Sequence, residues 1–176
     1  KIHSNDEICM LKKCCDYLED QGLTIAFIES ASAGYLASQF ALYKNSGAKI
    51  LLGGLVCYDP SVKEHVLKIS RDLIQQHTPE SLVVTEAMAH AGSMLFPTAD
   101  VVVACTGLLK PGGSATFDKP EGTFFVSISY QGQIASQQYY FKHSPSLRLN
   151  ALISAVCQQL LVLLQPESLL ASCEST

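Results

Sequence analysis

Three short segments of this chain combine residue types that can do chemistry. Glu29-Ser30-Ala31-Ser32-Ala33-Gly34 follows a short apolar run and exposes two hydroxyls and several backbone N–H groups where a strand turns into a helix. A hydroxyl there can attack an electrophile while unpaired amides at the helix start hold an oxyanion or a phosphate. The same residues also serve as plain helix caps, and spacing alone leaves open which of Ser30 and Ser32 would attack. Tyr58-Asp59-Pro60-Ser61-Val62-Lys63 puts a phenol at the end of a second apolar run and an ammonium within the helix that Asp59-Pro60 opens. Lys63 is expected near the positive helix end, where that position and partial burial would lower its pKa and let a neutral amine take a proton from a serine. Tyr58 would relay the proton or orient the amine.

The third segment runs from Thr106-Gly107 through Lys110-Pro111-Gly112-Gly113 to Lys119-Pro120-Glu121-Gly122-Thr123. Glycine-freed amides beside an ammonium make a phosphate nest plausible, although neither the Walker spacing nor a GxGxxG fingerprint is present. The histidines, at 3, 65, 77, 90 and 143, never stand at ligand spacing from one another or from a cysteine, so no metal and no other cofactor is expected. Cys57 and Cys105 lie between apolar neighbours, where a thiol acts as a small buried hydrophobe and its pKa rises.

The elements that must position these segments follow from periodicity. Ile8, Leu11, Cys14, Cys15 and Leu18 recur at helical spacing and stop at Gly22, which suits a left-handed cap. A strand over Thr24 to Ile28 precedes a helix carrying Leu36, Phe40 and Tyr43, with its end expected near Asn45-Ser46-Gly47. Ile50 to Tyr58 reads as a strand, Asp59-Pro60 opens a helix to about Leu67, and Ser70 and Thr78-Pro79 open two more. Val101 to Cys105 is a buried strand. Thr123 to Tyr130 and Gln133 to Phe141 form a hairpin about Gln131-Gly132, and Leu147 to Leu164 is the last helix. Helices interleaved with apolar strands imply an α/β fold, a three-layer α/β/α domain with a mixed, mainly parallel sheet. Open sheets of this kind place ligands at the C-terminal ends of their strands, where all three segments fall.

Composition narrows the classes further. The 176 residues are 48% hydrophobic and 16% charged, with 12 Lys+Arg against 16 Asp+Glu and a net charge of −4. That content supports one core without disulfides or metal, and residues 5 to 165 read as a single domain followed by a tail over 166 to 176. With no basic run, nucleic acid and anionic membrane are not expected partners. The longest apolar stretch, Leu160 to Leu164, is far short of the ~20 residues of a span. Seven cysteines without a CxxC pair suit a reducing cytoplasm. The start at Lys1, without Met or an apolar leader, reads as a trimmed or processed chain.

These motifs resemble the CinA C-terminal domain family, the nicotinamide-nucleotide amidohydrolases, over roughly residues 7 to 164. The family's Ala-Glu-Ser-Cys-Thr-Gly-Gly turn is similar to the segment ending Glu29-Ser30-Ala31-Ser32-Ala33-Gly34. Its Gly-Ser-Ser, Gly-Gly-x-Val-x-Tyr and following Lys look like Gly47, Gly53-Gly54, Val56, Tyr58 and Lys63. His77, Ser81 and Met88-Ala89 are in step, as are Thr106-Gly107, Pro111-Gly112-Gly113 and Lys119-Pro120-Glu121-Gly122-Thr123. The resemblance implies hydrolysis of the carboxamide of nicotinamide mononucleotide without a metal, an α/β/α fold, and a homo-oligomer. It makes Ser30 the nucleophile, activated by Tyr58 and Lys63. Ser32, Ala33, Gly34, Thr106, Gly107, Gly112, Gly113, Lys119 and Arg148 become substrate-binding candidates, with the third segment on the ribose phosphate and Arg148 at the pocket mouth.

The chain also departs from the family's pattern. Ala33 stands where the family has a Gly, and its Cβ disfavours the left-handed backbone that Gly permits. Leu109-Lys110 replaces two small residues, and His143-Ser144-Pro145 replaces a Gly-Asp-Arg element. A nucleotide-binding homologue without turnover, with a regulatory or interaction role, is the alternative that these departures raise.

Overall fold

A computed structural model describes residues 5–43 and 49–165. The tail over 166–176 and the expected helix end at Asn45-Ser46-Gly47 lie outside them. The elements in chain order are α1 (Asn5–Asp20), β1 (Ile25–Glu29), α2 (Tyr35–Tyr43), β2 (Leu51–Val56), α3 (Pro60–His65) and α4 (Arg71–His77). There follow α5 (Leu82–Leu95), β3 (Val101–Gly107), β4 (Thr123–Tyr130), β5 (Gln133–Tyr140) and α6 (Pro145–Leu164). The five strands form one sheet in the order β2-β1-β3-β4-β5. β1 pairs in parallel with both β2 and β3, while β4 is antiparallel to β3 and to β5. The sheet is therefore mixed, and β4 alone runs against the others.

Strand alternation builds the three layers. Ile25 and Phe27 of β1, with Val101, Val103 and Cys105 of β3, point into one core with α1, α2 and α6. Their neighbours Ala26, Ile28, Val102 and Ala104 point the other way, into a second core with Ile74 of α4 and Val84, Met88 and Ala89 of α5. A strand buried on both faces reads as a continuous apolar run, which is why β1 and β3 were legible without a period-two signal. β4 and β5 are joined by Gln131 and Gly132 at φ 51° and 75°, the two positive values a tight hairpin turn requires.

The start of α5 differs from expectation. α5 opens at Ser81, whose Oγ accepts from the Val84 amide, rather than at Thr78-Pro79. Thr78 has φ 70° and ψ 153°, a region almost reserved for glycine, so it cannot start a helix. α6 also spans 20 residues of membrane-like length and apolarity, which the longest uninterrupted run does not reveal. Its Leu152, Ile153, Val156, Cys157, Leu160 and Leu164 are buried in the first core, the position of a core helix.

The end of β3 is packed without slack. A Cβ on Gly107 would lie 2.1 Å from a ring carbon of Phe124, and that ring is itself fully buried. Gly107→Ala is expected to lower stability by about 2–4 kcal/mol through overpacking. A guanidinium melt checks this, and an unchanged midpoint would contradict the packing.

Candidate active site

The sheet brings Ser30 and Cys57 side by side. Glu29 ends β1 opposite Val56 of β2 and Cys105 of β3, and the Cys57 amide donates to the Glu29 carbonyl at 2.8 Å. The Ser30 amide donates to the Cys105 carbonyl at 3.0 Å, which carries the pairing one residue beyond β1 and fixes where the turn begins. Beyond Cys57 the chain reverses at Asp59-Pro60. The Asp59 carboxylate caps α3 through the Ser61 amide, Pro60 is its first residue, and the helix lasts six residues.

That reversal returns Lys63 to the strand end it has just left. Its Nζ lies 2.8 Å from the Cys57 carbonyl oxygen and 2.9 Å from Ser30 Oγ, and the side chain is 1% exposed. Burial pushes the Lys63 amine below its ordinary value, against the attraction of Cys57, Glu80 and Asp59. The helix end does not contribute as expected, because Lys63 sits in the last turn of α3, where carbonyls favour a cation. Desolvation, not the dipole, makes a neutral amine accessible. A neutral Nζ at the same 2.9 Å can accept the Ser30 proton while still donating to the Cys57 carbonyl.

Ser30 opens on a cleft of about 240 Å³ lined by Ala31, Tyr58, Glu80 and the segment from Gly107 to Gly113. Ser32 is equally buried, but its Oγ has no hydrogen-bond partner among the described residues and does not line the cleft. The geometry thus separates two hydroxyls that spacing left equivalent. Ala33 takes the left-handed conformation at φ 48° despite its Cβ, and Gly34 follows at φ 91°. The turn keeps its shape at a cost of about 1–2 kcal/mol instead of being blocked.

The first amides of α2 are not available to an oxyanion. The buried Glu29 carboxylate reaches forward to accept from the Leu36 amide at 2.8 Å and the Ala37 amide at 3.1 Å. This cap has no capping-box spacing, and the sequence offers no signal for it beyond the presence of a glutamate. Among the described residues the turn amides of Ala31, Ser32 and Gly34 take no part in a hydrogen bond, and of these three residues Ala31 lines the cleft.

Several expected ligand contacts are placed elsewhere. Thr106 is fully buried with its Oγ1 2.8 Å from Thr85 Oγ1, tying β3 to α5. Lys119 has three donors, and they end on Thr78 Oγ1, the Glu80 carbonyl and Ser114 Oγ, so it fastens the loop and has none for a phosphate. Arg148 is not at the pocket mouth. It is buried behind the loop, donating to the carbonyls of Phe141 and Leu109 and pairing with Glu121. Gly107, Gly112 and Gly113 do line the cleft. Tyr58 stands on its wall 57% exposed, with no hydrogen bond from its hydroxyl to Ser30 or Lys63. Lys110, part of the Gly-rich third segment, and Glu80, which no motif of the sequence marks, also line the wall. Among the described residues no three His, Cys, Asp or Glu side chains gather as a metal site would require.

Comparison with known proteins gives the family. The profile of the CinA C-terminal domain matches residues 8–165. The chain belongs to the CinA C-terminal domain family. A "CinA-like protein" of Mycolicibacterium vanbaalenii is 40% identical over 111 residues, 63% of this chain and 26% of that protein. Another from Desulfotalea psychrophila is 33% identical over 128 residues, 73% of this chain and 30% of that protein. This CinA domain therefore spans less than a third of the curated relatives it matches. Among solved structures, the competence/damage inducible protein CihA from Agrobacterium tumefaciens superposes with a TM-score of 0.83 at 20% identity, covering 94% of this chain and 99% of that one. A competence-damaged protein (CinA) superfamily protein from Escherichia coli gives 0.81 at 24%, covering 93% and 94%. At these identities the likeness is one of fold.

Burying Lys63 costs the CinA domain stability. The unfolded chain holds the lysine proton at pH values where the folded chain has released it, so stability rises with pH between the lowered folded pKa and the ordinary one. Lys63→Met removes the desolvation and is expected to be more stable than wild type by roughly 1–2 kcal/mol at neutral pH, with the gain shrinking as pH rises toward the ordinary lysine value. Melting curves across pH check this; a variant less stable at pH 7 would contradict it. Ala33→Gly is expected to add about 1 kcal/mol by relieving the left-handed alanine, read from the denaturant midpoint.

Proposed function

We propose that this domain is a metal-independent amidohydrolase that cleaves the carboxamide of nicotinamide mononucleotide, giving nicotinic acid mononucleotide and ammonia. The observation that carries this reading is the 2.9 Å contact between Ser30 Oγ and a buried lysine amine whose proton affinity is lowered, at the wall of an open cleft. Family membership supports it, as does the retention of Ser30, Tyr58 and Lys63 at the family's positions. The cleft is small for a whole nucleotide, so it takes the reacting end and leaves the remainder near the loop surface.

In the reaction, neutral Lys63 Nζ accepts the Ser30 proton as Oγ bonds to the carboxamide carbon. The carbonyl electrons move onto oxygen, where the unpaired amide of Ala31, on the cleft wall, is the available donor. Collapse of the adduct breaks the carbon–nitrogen bond, and the Lys63 ammonium returns its proton to the leaving nitrogen, which departs as ammonia. Water, deprotonated by the same amine, then attacks the acyl-serine and releases the carboxylate. Tyr58, open to the cleft, is proposed as a wall for the ring; a relay through its hydroxyl requires a substrate-bound geometry. Cys57 and Cys105 are poor rival nucleophiles, because burial pushes both thiols up. Among the described residues five cysteines are buried and free, which suits a reducing compartment such as the cytoplasm.

Ammonia release from nicotinamide mononucleotide tests the reading. Ser30→Ala and Lys63→Ala are each expected to lower turnover by roughly 10³-fold or more. Because the base works unprotonated, the rate should climb with pH through the Lys63 pKa and level off below the ordinary lysine value. No ammonia from wild-type protein at high concentration, with a nucleotide still raising the melting temperature, would favour the binding homologue instead.

A further inference from the structure

The cleft wall carries fixed charge of both signs, and each charge has its own residue. Glu80 is one. Ser114 Oγ donates to Glu80 Oε2 at 2.5 Å and accepts from Lys119 Nζ at 2.9 Å, so a relay anchored on a partly buried ammonium orients the carboxylate. Lys119 also grips the Glu80 carbonyl, and Thr78 just before it is held in its glycine-like conformation by the same Nζ. Glu80 Oε1 takes no hydrogen bond among the described residues and faces Gly113, 3.8 Å from where a Cβ would stand. The other charge is Lys110, which makes no ion pair or hydrogen bond among the described residues.

The free Oε1 of Glu80 beside Gly113 disfavours a phosphate at the Gly112-Gly113 end, and Lys119, whose charge is engaged with Glu80 through Ser114, has no free donor to offer one. Lys110 is then the cation on the wall that a phosphate can meet. We propose that Glu80 and Lys110 are specificity-determining residues that select a zwitterionic nucleotide, Glu80 by attracting a cationic nitrogen ring and Lys110 by attracting its phosphate. This deepens the amidohydrolase reading and rests on it for the substrate class. Both residues lie outside the matching motifs that carry the family resemblance. The product gains a carboxylate at the end nearest Glu80, which favours its release.

The test uses the full chain, with Glu80→Gln and Lys110→Gln, and three probes differing in charge. Nicotinamide mononucleotide carries both charges, benzamide ribonucleotide lacks the ring cation, and nicotinamide riboside lacks the phosphate. Dissociation constants come from calorimetry with each variant placed in a Ser30→Ala background, where no turnover consumes the probe, while ammonia release by wild type reports separately on the amidohydrolase reading. Glu80→Gln is expected to weaken nicotinamide mononucleotide about fivefold to tenfold and leave benzamide ribonucleotide unchanged. Lys110→Gln is expected to weaken both phosphorylated probes by a similar factor and leave the riboside unchanged. A purely structural role for Glu80 would lower the melting temperature and weaken all three probes alike. That result, or no change in any constant, overturns the proposal.

Discussion

The site depends on one costly burial, a lysine amine enclosed between a backbone carbonyl and a serine hydroxyl. An ammonium in that place would be poorly solvated, and its hydrogen bonds to Cys57 and Ser30 replace only part of the lost water. The surrounding fold exists in a form that tolerates this. Parallel pairing of β1 with β2 sets Glu29 and Cys57 in register, and the Asp59-Pro60 reversal turns the next helix back over them. A lysine six residues beyond Cys57 can then reach a hydroxyl 33 residues earlier in the chain.

The turn that presents Ser30 is shaped by a second buried charge. Glu29 spends both carboxylate oxygens on the Leu36 and Ala37 amides in the first turn of α2, which ties the helix to the strand, while in the preceding turn the Ala33 amide bonds to the Ser30 carbonyl and that of Ala31 stays unpaired among the described residues. An anion at a helix N-terminus is favourable electrostatically, so this burial stabilises where that of Lys63 does not. The two act together. One fixes the hydroxyl and the amides around it, and the other supplies the base.

Across the cleft the Gly-rich loop is held from behind. Arg148 grips the Leu109 carbonyl, Lys119 grips Thr78, Glu80 and Ser114, and the fully packed Gly107 leaves the strand end no freedom to shift. Side chains that looked like phosphate ligands in the sequence are thus fasteners. Their charge is spent inside the protein, and the charges that face the cleft are others.

Apolar runs and turn chemistry alone determined the layered α/β architecture, the helix opened by Asp59-Pro60 and the hairpin at Gln131-Gly132, because those signals are local and each residue carries its own. Residue type also marked Ser30 and Lys63 as reactive. What only the tertiary structure decided was direction and partnership: that Lys63 meets Ser30 and not Ser32, that Thr106, Lys119 and Arg148 turn away from the cleft, and that Glu80 and Lys110 turn toward it. A hydrogen bond between residues tens of positions apart depends on strand register and on which face a side chain leaves by, and neither is written in the spacing of the residues themselves.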